Sequence, residues 1–335
     1  MKGDGETMRA IQIDTYGGPD VLIRRELDIP KPGAGQLLVK LAVAGINFMD
    51  VHTRIGKYHG STTYPVTLPV TLGVEGAGEV IETGPGVDDF RPGDRVAYCL
   101  VWGSYADYAV VTAARAVKLP DGISHEMAAS SLFHGLTAHY LLHEVGQLAK
   151  GDSCLIHAAS GGIGQIMVQL AVAMGIRVLA TASTPEKRAI VEALGAEKCF
   201  AYDAGGFAEH ARAATGGKGV DVVFDALGKE TLRDSFRAAR KRGLIVNFGS
   251  VTGSVTDLNP IELGEAGSLF LTRPRLADHV ASAEEFRMRA NDIFSAILAG
   301  QLNIRQGQRY TLDSVEEAHE SLETRGVTGK PLLIL

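Results

Sequence analysis

The run Ser153-Cys-Leu-Ile-His-Ala-Ala-Ser-Gly-Gly-Ile-Gly164 constrains this chain most. It is an apolar stretch that breaks into glycines and then resumes at helical spacing as Gln165-Ile-Met-Val-Gln-Leu-Ala-Val-Ala-Met174. Strand, tight turn and helix in that order form the unit that cradles a pyrophosphate in dinucleotide-binding sheets. Gly161, Gly162 and Gly164 carry no Cβ, so the backbone can approach a phosphate closely, and the N–H groups at the start of the new helix face the anion. The 40 glycines among 335 residues suit a fold rich in such turns.

That unit does not stand alone. After Lys150-Gly-Asp152 the pattern alternates short apolar strands with helices. The strands are Ser153–Ala158, Arg177–Thr181, Lys198–Tyr202, Val220–Ala226, Gly243–Phe248 and Ser268–Leu271, and the helices lie near Gly164–Met174, Pro185–Leu194, Phe207–Ala214 and Thr231–Ala239. Short buried strands joined by helices predict a doubly wound parallel sheet with right-handed crossovers. Pro185 and Gly195 punctuate one helix as start and stop. Before this region, from Met8 to about Ser130, short strands are separated by Gly and Pro turns such as Tyr16-Gly-Gly-Pro19 and Arg91-Pro-Gly-Asp94, which predicts a compact, partly closed β domain. A helix is expected over Glu126–Gln147 and another over Glu284–Ala299. The tail closes on Pro331 and the strand Leu332-Leu-Ile-Leu335 without a β-α unit of its own, so it is expected to rejoin the N-terminal domain.

Composition removes several function classes. A formal charge of −6 leaves no basic footprint for nucleic acid, and the one basic run, Arg237-Ala-Ala-Arg-Lys-Arg242, reads as a solvated helix cap. Cys99, Cys154 and Cys199 are far apart and suit neither a disulfide framework nor a Cys-x-x-Cys zinc site, which points to a reducing compartment. The absence of a long apolar run and of an apolar leader core predicts a soluble, cytoplasmic protein with no membrane partner. The second strand of the sheet ends Ala182-Ser-Thr184 with no acid to hold ribose hydroxyls, while Lys187 follows and Tyr202 ends the next strand. Small hydroxyls plus a cation favour NADP(H) over NAD(H).

Taken together, Ala42-Val-Ala-Gly-Ile-Asn-Phe-Met-Asp50, Leu72-Gly-Val-Glu-Gly-Ala-Gly78, Arg91-Pro-Gly-Asp-Arg-Val96, Gly135-Leu-Thr-Ala138 and Ala158-Ala-Ser-Gly-Gly-Ile-Gly164 resemble the medium-chain dehydrogenase/reductase superfamily from about Met8 to Leu335. More narrowly, the chain resembles its zinc-free NADPH:quinone oxidoreductases, the zeta-crystallin-like branch. The resemblance implies an α/β protein with a GroES-like catalytic β domain over 1–130 and 273–335, a Rossmann NADP-binding domain over 131–272, and an active site between them. Zinc members of the superfamily carry a Cys and a Gly-His-Glu at the catalytic ion and a separate lobe of four cysteines. Here Asn47 and Gly73-Val74-Glu75 stand at the first two positions, and three cysteines cannot build the lobe, so no metal site is expected. Without a Lewis acid, acceptors that take hydride readily, such as quinones and activated enones, fit better than simple alcohols.

Residue by residue, the resemblance places Asn47, Asp50, Arg54 and Tyr58 at the catalytic loop. Asn47 would bond a ribose or substrate oxygen, and Tyr58 would donate to the reduced oxygen. Asp50 and Arg54 at i,i+4 spacing read equally well as a structural ion pair. The same carry-over puts Phe48, Thr137, Gly161, Gly162, Ile163 and Gly164 on the cofactor. Ser183, Lys187 and Tyr202 fall at its 2′-phosphate, Phe248, Gly249, Ser250, Val251 and Thr272 along its nicotinamide edge, and Arg325 on its side near the C-terminus. His52 departs from the aromatic residue usual there and alters the expected pocket shape. His157 reads as a buried, satisfied histidine, and Asp225 as a residue that bonds turn backbone. The implied activity is NADPH-dependent, zinc-independent quinone reduction by hydride or electron transfer. A 2-alkenal or enoyl reductase and an NADPH-binding sensor without turnover are the alternatives. A homodimer joined near Gly264–Leu271, at a sheet edge, is the implied assembly.

Overall fold

The apolar period changes along the chain, and the backbone changes with it. The computed structural model describes residues 6–202, 206–324 and 329–335. The chain separates into two units, Met1–Phe133 with Val280–Ala299 and Ile304–Leu335, and His134–His279 with Gly300–Asn303.

In chain order the first stretch runs β1 (Thr7–Ile13), β2 (Ile23–Asp28), β3 (Gln36–Gly45), α1 (Phe48–Arg54), β4 (Val70–Thr71), β5 (Glu75–Thr83), β6 (Arg95–Cys99), β7 (Tyr108–Thr112), β8 (Ala116–Lys118) and α2 (His125–Tyr140). Strand β3 organises the first unit: it pairs antiparallel with β5 from Leu37–Thr83 to Ala44–Gly76 and with β7 from Gln36–Thr112 to Lys40–Tyr108. Its period-two side chains Leu37, Val39 and Leu41 pack with Val80, Val96 and Val111 in one core. A second core joins Ile46 and Val51, which flank the start of α1, to Ile11, Ile13 and Leu72. Gly45 ends β3 where a Cβ would lie 2.5 Å from both Ala129 O and a Glu75 carboxylate oxygen, so only glycine lets the chain turn into α1 there.

The second unit runs β9 (Ser153–Ile156), α3 (Gly162–Ala173), β10 (Arg177–Thr181), α4 (Pro185–Ala193), β11 (Lys198–Phe200), α5 (Gly206–Ala214), β12 (Val220–Asp225), α6 (Leu232–Ala238), β13 (Ala239–Asn247), α7 (Ile261–Glu265) and β14 (Phe270–Thr272). All pairs in this sheet are parallel, in the order β11-β10-β9-β12-β13-β14. The chain winds outward from β9 and then, in the other direction, from β12. Ligands of such sheets bind beyond the carboxyl ends of the strands, where that direction switches. The rest of the chain, α8 (Ala283–Leu298), β15 (Gln306–Tyr310), α9 (Val315–Glu323) and β16 (Lys330–Ile334), belongs to the first unit, with β16 antiparallel to β3. None of the helices among the described residues is long and apolar enough to cross a membrane.

Several boundaries differ from the sequence expectations. The helix expected over Glu126–Gln147 stops at Tyr140 and continues as a wider π turn over Leu141–Gly146. The basic run is not a helix cap: β13 already begins at Ala239, and Arg240 Nε bonds Asp221 of the adjacent β12 at 2.6 Å, which draws the run into the sheet. Residues 273–279 fall with the second unit rather than with the tail. Arg273 donates to Asn247 O at 2.7 Å, and His279 stacks on Tyr140 at 4.3 Å. Helix α1, strand β15 and helix α9 lie where the sequence pattern predicts no regular element.

Candidate active site

The carboxyl ends of the parallel strands gather most of the cofactor candidates. Gly161 is the N-cap of α3 and brings no side chain to the helix start, so the N–H groups of the first turn stay open to an anion. At Gly164 a Cβ would meet Ala158 O at 2.5 Å and Ala159 Cα at 2.6 Å, the close strand–helix approach that a pyrophosphate turn requires. Ser183 follows β10 and is exposed. Half-buried Lys187 stands in the first turn of α4, which Thr184 caps by accepting from the Lys187 N–H at 3.3 Å. Phe248, Gly249, Ser250 and Val251 follow β13, and Thr272 ends β14. Backbone donors, small hydroxyls and one cation at a single sheet edge fit a phosphate-bearing dinucleotide.

Tyr202 is held at the strand ends. Its hydroxyl accepts the Ala158 N–H at 2.7 Å and donates to Thr181 O at 3.3 Å, and burial pushes it up to about 12. That hydroxyl ties the ends of β9 and β10 together, beside Ser183 and Lys187 in the sequence order of the sheet. Two neighbouring groups behave as the sequence suggests. Buried His157 bonds Thr181 Oγ1 at 2.8 Å and Ser235 Oγ at 3.0 Å, and Asp225 accepts the Leu227 and Gly228 N–H groups at 2.8 and 2.9 Å.

In the first unit a second site forms from side chains that water cannot reach. Asn47, Asp50, Glu75 and Lys330 are 2 %, 0 %, 0 % and 1 % exposed. Lys330 Nζ lies 2.8 Å from a Glu75 oxygen and donates to Asn47 Oδ1. The Asn47 amide nitrogen donates to Glu75 at 3.1 Å and to Gly45 O at 3.0 Å, while the other Glu75 oxygen accepts the Phe133 N–H at 2.7 Å. Zn²⁺ does not fit here. Both Glu75 oxygens already take donors, Asn47 and Val74 replace soft or imidazole ligands, and among the described residues no three His, Cys, Asp or Glu side chains converge on one point.

A run of hydrogen bonds leads from this cluster toward the surface. Asp50 accepts the Asn47 N–H at 2.7 Å and the Tyr105 hydroxyl at 3.0 Å on one oxygen, and its other oxygen is buried without a partner. Tyr105 faces His319 Nε2 at 3.2 Å, and His319 Nδ1 faces an Arg54 nitrogen at 3.1 Å. Arginine only donates, so His319 Nδ1 accepts, Nε2 carries the hydrogen toward Tyr105, and the Tyr105 hydrogen turns to Asp50. Burial raises Asp50 from 3.8 to about 7 against the pull of the Asn47 N–H and of Lys330. Burial, helped by Arg54, lowers His319 from 6.5 to about 3, so the ring is neutral. Asp50 and Arg54 do not form the ion pair that their spacing allows. Arg54 turns away to Glu323, 2.8 Å from its guanidinium.

Of the remaining candidates, Tyr58 packs edge-on against His52 at 6.1 Å and Tyr64 at 5.4 Å, and His52 in turn meets Phe48 at 6.3 Å. Here His52 serves as one ring in an aromatic row. Thr137 is buried in α2, and Arg325 lies outside the described residues. The sequence reading missed Lys330, Tyr105 and His319 and did not single out Glu75 as a site residue. The only local signal was a carboxylate among the small and apolar residues of Gly73-Val74-Glu75-Gly76-Ala77.

Two family descriptions match the chain, "Alcohol dehydrogenase GroES-like domain" over residues 33–121 and "Zinc-binding dehydrogenase" over residues 162–287. The chain is 37 % identical to a quinone oxidoreductase of Pseudomonas aeruginosa, covering 97 % of this chain and 99 % of that one. It is 36 % identical to a 2-haloacrylate reductase of a Burkholderia species, over 97 % and 98 %. The crystal structure of Escherichia coli quinone oxidoreductase complexed with NADPH superposes with a TM-score of 0.93 at 36 % identity, over 98 % of this chain and 100 % of that one. With the wound sheet, the open glycine turn and full-length relatives in agreement, the chain belongs to the quinone oxidoreductases of the medium-chain dehydrogenase/reductase superfamily.

Proposed function

We propose that this chain is an NADPH-dependent, zinc-independent reductase of quinones. The observation that carries the reading is the ammonium of Lys330 between Asn47, which stands where zinc members carry cysteine, and Glu75, next to the Val74 that stands where they carry histidine. A site built that way favours acceptors that need no Lewis acid. When bound, NADPH supplies the hydride or electron that reduces the acceptor. The N–H groups of Gly162, Ile163 and Gly164 bind its pyrophosphate, with Gly161 as the side-chain-free cap beside them, and Ser183 and Lys187 bind its 2′-phosphate. Phe248, Gly249, Ser250, Val251 and Thr272 line the nicotinamide side with Thr137. Tyr58 donates a hydrogen bond to the reduced oxygen, and Asp50 holds a proton on its unpartnered oxygen near neutral pH.

The 2-haloacrylate reductase relative supports a second reading, reduction of an activated carbon–carbon double bond. Assembly as a homodimer through edge strand β14, where Phe270 is 63 % exposed, completes the proposal. A cytoplasmic location accords with three free, buried cysteines. The test follows NADPH oxidation by chelator-treated protein with 1,4-benzoquinone, 9,10-phenanthrenequinone and an alkenal. Turnover that survives chelation and prefers quinones is expected. Preference for the alkenal would move the assignment to double-bond reduction, and loss of turnover on chelation would overturn zinc independence.

A further inference from the structure

The basic run at the start of β13 meets the glycine loop before β12 at the amino ends of the parallel strands, the opposite edge of the sheet from the cofactor candidates. Gly219 lets them meet. A Cβ there would lie 2.6 Å from Ala239 O and 2.7 Å from the Arg240 nitrogen, so only a glycine allows the loop that carries Lys218 to close on β13. Together they line a cavity of about 610 Å³ with Arg212, Lys218, Arg240, Lys241 and Arg242 and a single acid, Asp221. Five cations and one carboxylate stand out in a chain whose formal charge is −6. We propose that this cavity is a binding site for a small polyphosphate, a ligand with two or three linked phosphate groups.

Folding accounts for only part of this charge. Arg240 Nε bonds Asp221 at 2.6 Å, and the Ser153 N–H and hydroxyl donate to the same carboxylate at 2.9 Å, so the one acid is fully occupied. Arg212 donates to Gly217 O at 2.6 Å and Ala239 O at 3.2 Å, beyond the carboxyl ends of α5 and α6, where a cation complements the helix dipoles. Lys218, Lys241 and Arg242 are left. All three are exposed, and none forms an ion pair among the described residues. Like charges held together repel until an anion arrives. The backbone of Arg242 adds a second, independent observation. Its φ is 57°, a left-handed conformation that suits glycine, and its N–H is pinned to Gly267 O at 2.8 Å. Glycine would be less strained there, so an arginine at this position gives up stability for its side chain. The cavity is roomier than one phosphate requires, yet no aromatic side chain lines it. Nucleobases therefore lack a stacking surface, and recognition falls on the phosphate oxygens.

The test is calorimetric titration of the full chain with inorganic tripolyphosphate at about 0.15 M salt, with NADPH in excess to fill the cofactor site. The expected result is a Kd below about 100 μM in the parent, weakened at least tenfold in Arg242→Gly and in Lys218→Ala/Lys241→Ala. Arg242→Gly removes a charge while relaxing the backbone, so its unfolding midpoint should rise, which separates lost binding from lost folding. Lys31→Ala, which removes an exposed cation elsewhere, should bind as the parent does. A weaker parent Kd, smaller losses in either cavity variant, or an equal loss in Lys31→Ala would overturn the proposal. So would binding of a single-stranded RNA 20-mer, or of vesicles containing phosphatidylinositol bisphosphate, by a chain that ignores tripolyphosphate. The readout is tripolyphosphate affinity and not turnover, so a negative result leaves the reductase reading standing.

Discussion

The two candidate sites solve opposite problems. At the carboxyl edge of the parallel sheet the working groups are backbone N–H donors at the start of α3 and side chains such as Ser183 that face solvent. Around Asn47 they are side chains no more than 2 % exposed, and the charges among them are satisfied by one another. The first site is poised for a charged ligand that brings its own counter-charge. The second is already neutralised and has a fixed donor–acceptor pattern. An anion site can stay open because water solvates it until the ligand arrives, whereas a buried polar cluster must be complete before any ligand appears.

The contrast can be broken first at Lys330. Lys330→Met alone leaves the Glu75 carboxylate buried beside an amide, and loss of one partner of such a pair costs about 3–5 kcal/mol. Urea unfolding should show it, with Glu75→Gln restoring most of the loss. A single-variant loss below about 1 kcal/mol would mean that the cluster is wetter than the structure shows. At the open edge the corresponding change acts on binding instead of folding. Lys187→Ala should weaken NADPH by about 1.5–3 kcal/mol, the scale of a charge-assisted hydrogen bond, while leaving NADH and the unfolding midpoint nearly unchanged. Equal losses for NADPH and NADH by calorimetry would remove Lys187 from the 2′-phosphate.

The third prediction concerns pH and has two opposed parts. Asp50, raised from 3.8 to about 7, keeps a proton in the folded chain that the unfolded chain has lost, so its contribution to stability falls as pH rises from about 4 to about 7. His319, lowered from 6.5 to about 3, lacks a proton that the unfolded chain has gained, so its contribution rises over about pH 3 to 6.5. Each slope approaches about 1.4 kcal/mol per pH unit, and over the shared window they offset one another. Relative to the parent, Asp50→Asn should add an upward slope and His319→Gln a downward one. Unfolding midpoints collected across that window check this, and slopes of the same sign in both variants would contradict the assignment.

How much of this was legible in the sequence follows the same division. The open edge is local: the Gly161–Gly164 turn, the start of α4 at Pro185 and the strand ends each announce themselves within a dozen residues. The backbone contacts of Tyr202 were not legible, because a tyrosine at a strand end reads the same whether its hydroxyl meets a ligand or the backbone of the next strand. The buried cluster draws on β3, α1, β5, Tyr105, α9 and β16, which are separated by up to 283 residues between Lys330 and Asn47. Lys330 at the head of an apolar strand has no pattern to set it apart from a solvated lysine. Arg54 could have paired with Asp50 by spacing alone, but the competing partner, Glu323, lies 269 residues away.

The run from Arg54 through His319 and Tyr105 to Asp50 has one more consequence. Chains of hydroxyl and imidazole groups ordinarily resemble ice, in that their hydrogens can be ordered in either sense. Here a guanidinium closes one end and the Asn47 peptide N–H meets the other, and neither can accept. The mirror ordering does not exist, so the chain has a polarity written into its residues and independent of what is bound. Passing a proton along the run would need that mirror ordering, so the run fixes hydrogens in place and relays none, and an additional proton has its vacant place on the second Asp50 oxygen.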